Sequence, residues 1–339
     1  MNVNYMYSLL AVVVLFLLSY LGVKVGLAPL FGIVIPYLAV AVFLVGVVRR
    51  VMGWAKSAVP FRIPTTCGQQ KSLPWIRHNK IDNPFTPGGV VIRMILEIVC
   101  FRSLFRNTRN AIREGKLVHE WEIWLWVAAL AFHYSFLVVV FRHLRLFTDP
   151  VPVWVQMVEH IDSFFRFEIL TDSFHFGLPA VFLSGFVLLA AVTFLFLRRV
   201  LSPAVRYISL AADYFPLFLI FGIAFSGILM RYFSKVNIRN IKELTMGLVT
   251  FHPHIPDGVD PVFYVHLFFV SILLAYFPFS KLMHMAGVFL SPTRNLPGNT
   301  RAVRHVNPWN YPVPVHTYEE YEEEFREKMI EAGLPVEKE

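Results

Sequence analysis

Thiols and charges are both scarce in this chain. Its two cysteines, Cys67 and Cys100, are too few for a disulfide framework, an iron–sulfur cluster or a structural zinc site. Any iron–sulfur chemistry must therefore come from another subunit, and Cys67 by itself, a single loop cysteine, carries no assignment. Charged residues make up only 16% of the 339, against 56% hydrophobic, with a mean hydropathy of +0.56. Those values exclude a soluble globular domain and point to several spanning helices. The first apolar segment lacks a basic leader and a small-residue cleavage site, so it reads as an uncleaved span. No internal repeat is evident, which leaves an inverted-repeat transporter without support. A net charge of +8 could suggest nucleic acid, but the basic residues sit in short loops of a membrane protein. Topology explains them, and no nucleic-acid partner is expected.

What the chain has in quantity is apolar length. Six segments suffice to cross a bilayer: 5–23, 27–48, 123–141, 178–197, 215–232 and 262–290. The first two are joined by a few residues around Lys24–Gly26 and form a helical hairpin. Between Arg49 and Trp121 stand thirteen Lys/Arg against four Asp/Glu, whereas Thr148–Phe176 holds five acids and one Arg. Arg198, Arg199 and Arg206 follow the fourth span, and Lys281, Arg294, Arg301 and Arg304 accompany the end of the sixth. Alternate loops thus obey the positive-inside rule, which places both termini in the cytoplasm of a prokaryotic cell bounded by its inner membrane. The expected fold is an all-α integral membrane protein, a six-span helical bundle with a cytoplasmic loop and a C-terminal tail. Its segments are an N-terminal hairpin (1–48), a basic cytoplasmic or interfacial stretch (49–121), a four-helix core (122–290) and a tail (291–339). Within the basic stretch, VIRMILEIVCFRSLFRNTRNAIREGK repeats apolar and Arg residues at helical spacing, as a membrane-surface helix would. In the tail, YEEYEEEFREKMIEAG predicts a short exposed acidic helix ended by Gly333 and Pro335.

Imidazoles mark the interior. His266 and His284 lie eighteen residues apart on the sixth segment. If helical throughout, that is five whole turns, about 27 Å, with both rings on one side. The third segment carries His133 at its middle and His143 near its outer end, about 15 Å further along and about 80° around the helix. With the third span running outward and the sixth inward, depth pairs His143 with His266 and His133 with His284. Bilayer imidazole is costly to leave unpaired and is a common metal ligand. A single such histidine is more often a hydrogen-bonded structural residue, but four at matched depth on two helices favour metal. Haem with two axial histidines suits this better than zinc, which needs three or four clustered ligands.

The ten- and eighteen-residue histidine spacings and the run FPFSKLMH resemble the respiratory nitrate reductase gamma-subunit family of dihaem cytochromes b, over roughly Trp121–Leu290. The insert TTCGQQKSLPWI and the long basic segment are more particularly similar to the membrane cytochrome b subunits of the sulfite-reduction-linked DsrMKJOP complexes. The resemblance implies two b haems ligated by His133, His143, His266 and His284, and (mena)quinol reacting near the outer haem. It further implies electron exchange with a cytoplasmic heterodisulfide-reductase-like iron–sulfur subunit, alongside other membrane and periplasmic redox subunits, in dissimilatory sulfur metabolism. The chain would then be an electron-transfer subunit of an oxidoreductase complex. The family core has five spans, so the extra N-terminal span is a departure. In the family a quinone-binding Lys opens the span after the first ligand helix, and counting back from Arg198–Arg199 puts His175 there. Nearby polar candidates are His160, Arg166, Glu168 and Asp172. Arg142 and Arg145 flank His143 and could pair with haem propionates, or equally reach lipid headgroups. Two other readings compete: a transporter whose histidines relay protons, and a membrane anchor in which haem only stabilises assembly.

Overall fold

The computed structural model describes residues 3–57, 68–164, 167–171, 174–178, 181–304, 306 and 314–337, with backbone alone for 167–171 and 174–178. Among the described residues six helices are long and apolar enough to cross a membrane: Asn4–Lys24, Leu30–Ala55, Ile123–Leu146, Leu183–Leu201, Ala211–Ser234 and Pro261–Phe279. They are numbered below as the first to sixth spans. The chain divides into two compact units, Met1–Arg50 with Val91–Phe289, and Val51–Val90 with Leu290–Glu339.

In the first unit the fifth span is central, packing against the first, fourth and sixth, while the third packs on the fourth. The first span turns Ser8, Val12, Ser19 and Gly22 inward. Small residues let backbones approach closely where lipid supplies no hydrophobic drive, and Ser8 Oγ donates to the Ala211 carbonyl at 2.8 Å. Its other faces carry exposed Leu10, Leu18 and Leu21, as suits contact with acyl chains. Gly26, at φ +93°, supplies the left-handed turn into the second span.

Several elements differ from the expectations above or add to them. Helix Pro87–Cys100 forms, but the surface helix goes no further than a single turn at Arg102–Phe105. Phe101 between them takes φ 50°, and the rest is an antiparallel hairpin, Thr108–Arg113 with Lys116–Trp121. Glu114 and Gly115, both at positive φ, make the two-residue turn whose twist matches paired strands. The fourth span starts at Leu183 rather than 178, because Ser163–Phe164 pairs with Val181–Phe182 and keeps the chain extended to that point. The fifth-to-sixth connection holds a helix, Ile238–Val249, with Ile241, Leu244, Thr245 and Leu248 buried. The sixth span is not one rod: its α-helix ends at Tyr276, and short 3₁₀ turns at Phe277–Phe279 and Lys281–Met283 precede a new helix, His284–Leu290. Pro278 causes the break, since it has no N–H to give and its ring collides with the preceding turn. The tail helix, Tyr318–Glu331, has a Thr317–Glu320 capping box, and Gly333 follows it at φ +68°. It is not wholly exposed, because Glu322 is buried and accepts from Arg326 and from the Glu337 N–H.

Glu120 closes the hairpin by accepting from Arg109 at 2.7 Å and Arg113 at 2.6 Å, hydrogen bonds that hold its carboxyl below the usual carboxylate range. A lowered native pKa means that the clamp is present above the ordinary carboxylate pKa and is lost as pH falls through the depressed one. Hairpin amide protection factors, which are corrected for intrinsic exchange, should therefore fall on acidification through that range and stay level between pH 6 and 8. Glu120→Gln should abolish the acid response.

Candidate functional site

The third and sixth spans are not close-packed neighbours; they meet through imidazoles. His143 faces His266 with ring centroids 6.3 Å apart and planes 18° from parallel, and His133 faces His284 at 5.9 Å with planes at 88°. Since 133 pairs with 284 and 143 with 266, the two spans run antiparallel. The break at Pro278 gives His284 a placement independent of the helical phase of His266.

Hydrogen bonding assigns the tautomers. His133 Nδ1 lies 2.7 Å from the Ala129 carbonyl, His143 Nδ1 2.7 Å from that of Val139, and His284 Nδ1 2.9 Å from that of Lys281. A carbonyl only accepts, so each Nδ1 carries the proton and each Nε2 keeps a lone pair. His266 Nδ1 is 2.9 Å from Ser226 Oγ. That hydroxyl donates its one hydrogen to the Gly222 carbonyl at 2.7 Å, so it accepts from Nδ1–H, and His266 follows the same rule. The fifth span lies against this ring: a Cβ on Gly227 would stand in van der Waals contact, 3.4 Å from His266 Cε1. Phe101 and Phe132 set their ring edges against His133 at 4.9 and 5.1 Å.

This donor set fits a bis-histidine haem. Two imidazoles ligating one ion from opposite sides through bonds of about 2.0–2.1 Å have centroids roughly 6 Å apart, close to both observed separations. Among the described residues no group of three or more His, Cys, Asp or Glu converges to hold an ion. Each pair thus supplies two nitrogens, the axial complement that a macrocycle with four of its own requires.

Beside His143 lies a cluster that sequence reasoning only half saw. Buried Arg142 sits 3.3 Å from Asp162 and 3.6 Å above the Phe182 ring; Arg231 lies 3.9 Å from the same ring, and Arg145 pairs with Glu159. Asp162 in turn accepts from the Ser184 N–H at 2.7 Å and its hydroxyl at 2.6 Å, capping the fourth span with a negative charge where a helix N-terminus favours one. Arg142 and Arg145 therefore already hold protein carboxylates. His175 pairs with Leu170 in the hairpin Phe167–Thr171/Phe174–Leu178, eight residues ahead of the fourth span. Its side chain, with that of Glu168, lies outside the described residues, as do Arg166, Asp172 and Cys67 altogether. His160, on helix Val153–Asp162, is exposed. Ser226, Asp162 and Phe182 were missed: a serine in an apolar run is the only local signal, and its partner is forty positions away.

Comparison with known proteins agrees with this architecture. The family model described as nitrate reductase gamma subunit matches residues 116–301. The Hdr-like menaquinol oxidoreductase cytochrome b-like subunit of Archaeoglobus fulgidus is 46% identical over 288 residues, 83% of either chain. A protein of the same description from Archaeoglobus profundus is 42% identical over 282 residues, 81% of either chain. With the match spanning more than half of its length and relatives alike along most of it, this multi-pass membrane chain belongs to the nitrate reductase gamma-subunit family.

Proposed function

We propose that the chain is the membrane cytochrome b subunit of a quinol-linked oxidoreductase complex, exchanging electrons between menaquinol at the His143–His266 end and a cytoplasmic iron–sulfur partner at the His133–His284 end. Two b haems, when bound, supply one-electron carriers at the two depths. His143 with His266, and His133 with His284, provide the axial nitrogens. The observation that carries this reading is the arrangement of all four imidazoles in two facing pairs, each with Nδ1–H engaged and Nε2 left as a base. Fixing the ring through its second nitrogen orients a ligand and raises its basicity.

The rest of the site follows from charge. Arg142 and Arg145 would hold the propionates of the outer haem, with Asp162 and Glu159 keeping both guanidiniums in place. His175 would hydrogen-bond a quinone oxygen and take up its proton, a role an imidazole can fill near neutral pH. By the loop charges both termini lie in the cytoplasm of a prokaryotic cell, with the chain in its inner membrane. The partner would be a heterodisulfide-reductase-like iron–sulfur subunit, with further membrane and periplasmic redox subunits, in dissimilatory sulfur metabolism. The names of the relatives, Hdr-like menaquinol oxidoreductase cytochrome b-like subunits, support the quinol and the partner class.

A pyridine haemochrome assay on the purified chain tests the reading, with two haems per chain as the expected result. Reduction of both by a menaquinol analogue should follow. A colourless chain that moves protons across vesicles would establish the transporter instead, and haem that no quinol reduces would leave an anchor.

A further inference from the structure

His284 differs from the other three histidines in what orients it. His133 and His143 donate to carbonyls four residues back in an unbroken helix, and His266 to a serine on the fifth span. The acceptor for His284 is the carbonyl of Lys281, which lies in the 3₁₀ turn between the two helical pieces of the sixth span. A helix holds its own carbonyls rigidly, but a short 3₁₀ turn after an extended residue does not. Ser280, at φ −115° and ψ 176°, is that extended residue. Within the turn that carbonyl also accepts from the His284 N–H, and the Ser280 hydroxyl accepts from the Leu282 N–H at 3.2 Å; a contact from outside the turn adds to these.

The structure places that restraint on the fifth span. Lys281 Nζ donates to Asp213 Oδ1 at 2.6 Å. Asp213 is itself held, with Oδ2 accepting the Leu210 N–H at 3.0 Å and standing 3.9 Å from Arg199 Nη1. Arg199 in turn donates to Ser209 Oγ at 2.9 Å. One position earlier, the Ala212 carbonyl accepts from Tyr276 Oη at 3.2 Å, at the end of the helix before the break. On the other side Gly46 allows the second span against the proline: a Cβ there would come within 2.7 Å of Pro278 Cβ. Lys281 thus carries both ends of a lever, its side chain on Asp213 and its carbonyl on His284.

We propose that Asp213, acting through Lys281, is the positioning residue for His284, setting ligand orientation at the His133–His284 centre and not at the other. The inference rests on the haem-ligand reading given above. The Asp213 side chain is only 6% exposed and Lys281 81% exposed. An ion pair with one partner so accessible adds little to stability, so its effect lies in geometry and belongs in the spectrum rather than in the melting curve. Hydrogen bonds to the second nitrogen of a ligating imidazole tune the metal it binds.

The test uses the full chain in membranes, with low-spin haem resonance signals and a redox titration as readouts. Asp213→Asn and Lys281→Gln should each shift the signal and midpoint potential of one haem while haem content and the other haem stay unchanged. The double variant should shift it no further than either single one, and Lys281→Arg should restore the unperturbed values. Should Asp213→Asn fail to assemble, Lys281→Gln alone is decisive, because its side chain is exposed. Unmoved signals in Lys281→Gln, or equal shifts at both haems, would overturn the proposal. A His284→Ala chain that kept its full haem content would instead sink the ligand reading, whatever happens at Asp213.

Discussion

Replacing His266 by alanine is expected to halve the haem content of the purified chain, to about one per chain, and to leave the signal of the His133–His284 centre in place. The reasoning is local. His266 lies between the third and fifth spans, with Ser226 on its Nδ1 and the His143 ring 6.3 Å away, centroid to centroid. Without it, His143 is the one axial nitrogen at that depth, and a bis-histidine haem loses half of its protein ligation. His133→Ala should do the reverse, removing the other haem. Ser226→Ala should keep both haems but broaden or shift the first, because only the ring's orientation is loosened; losing the partner of a ligating imidazole's other nitrogen weakens metal binding about 10–100-fold. Haemochrome and resonance spectra on the same preparations check all three, and two full haems in His266→Ala would refute the ligand assignment.

Asp162→Ala should produce the largest loss of stability, about 3–5 kcal/mol. The Asp162 side chain is 5% exposed and that of Arg142 10%, 3.3 Å apart. Deleting the carboxylate leaves a guanidinium among Phe182, Arg145 and Arg231 without its counter-charge, and a buried unpaired charge costs far more than an exposed pair contributes. The fourth span also loses its cap at Ser184. Asp162→Asn should fall between, since an amide oxygen still accepts from the Ser184 N–H. Thermal unfolding in detergent measures it, and a midpoint unchanged in Asp162→Ala would show that water or lipid headgroups already solvate Arg142.

Much of this architecture is legible along the chain. Hydropathy finds the six spans, but their ends move: strand pairing to Phe182 delays the fourth to Leu183, Pro278 stops the sixth at Phe279 rather than 290, and the second runs on to Ala55 rather than 48. The hairpin at 108–121 shows why an Arg-rich, half-apolar stretch reads as helix: its spacing is ambiguous over short runs, and the Glu114–Gly115 turn decides it. Helix Ile238–Val249 has its inward residues at 241, 244, 245 and 248, a helical period that a search for long apolar runs passes over. The Arg142–Asp162–Phe182–Arg231 cluster joins residues from four elements, and nothing local to any of them announces the others.

Hydropathy, loop charge and the spacing of four histidines are properties of the chain itself, because bilayer thickness and the positive-inside rule act on each segment separately. From them follow a six-span membrane protein, antiparallel third and sixth spans, and imidazoles at two depths. Which nitrogen of each ring is free, what holds a ring in place, and which carboxylate keeps Arg142 buried were decided only by packing. Three of the rings bond carbonyls only three or four residues back, but the Ser226 and Asp213 contacts reach 40 and 68 positions along the chain, and every such bond depends on a few tenths of an ångström that no spacing along a sequence can specify.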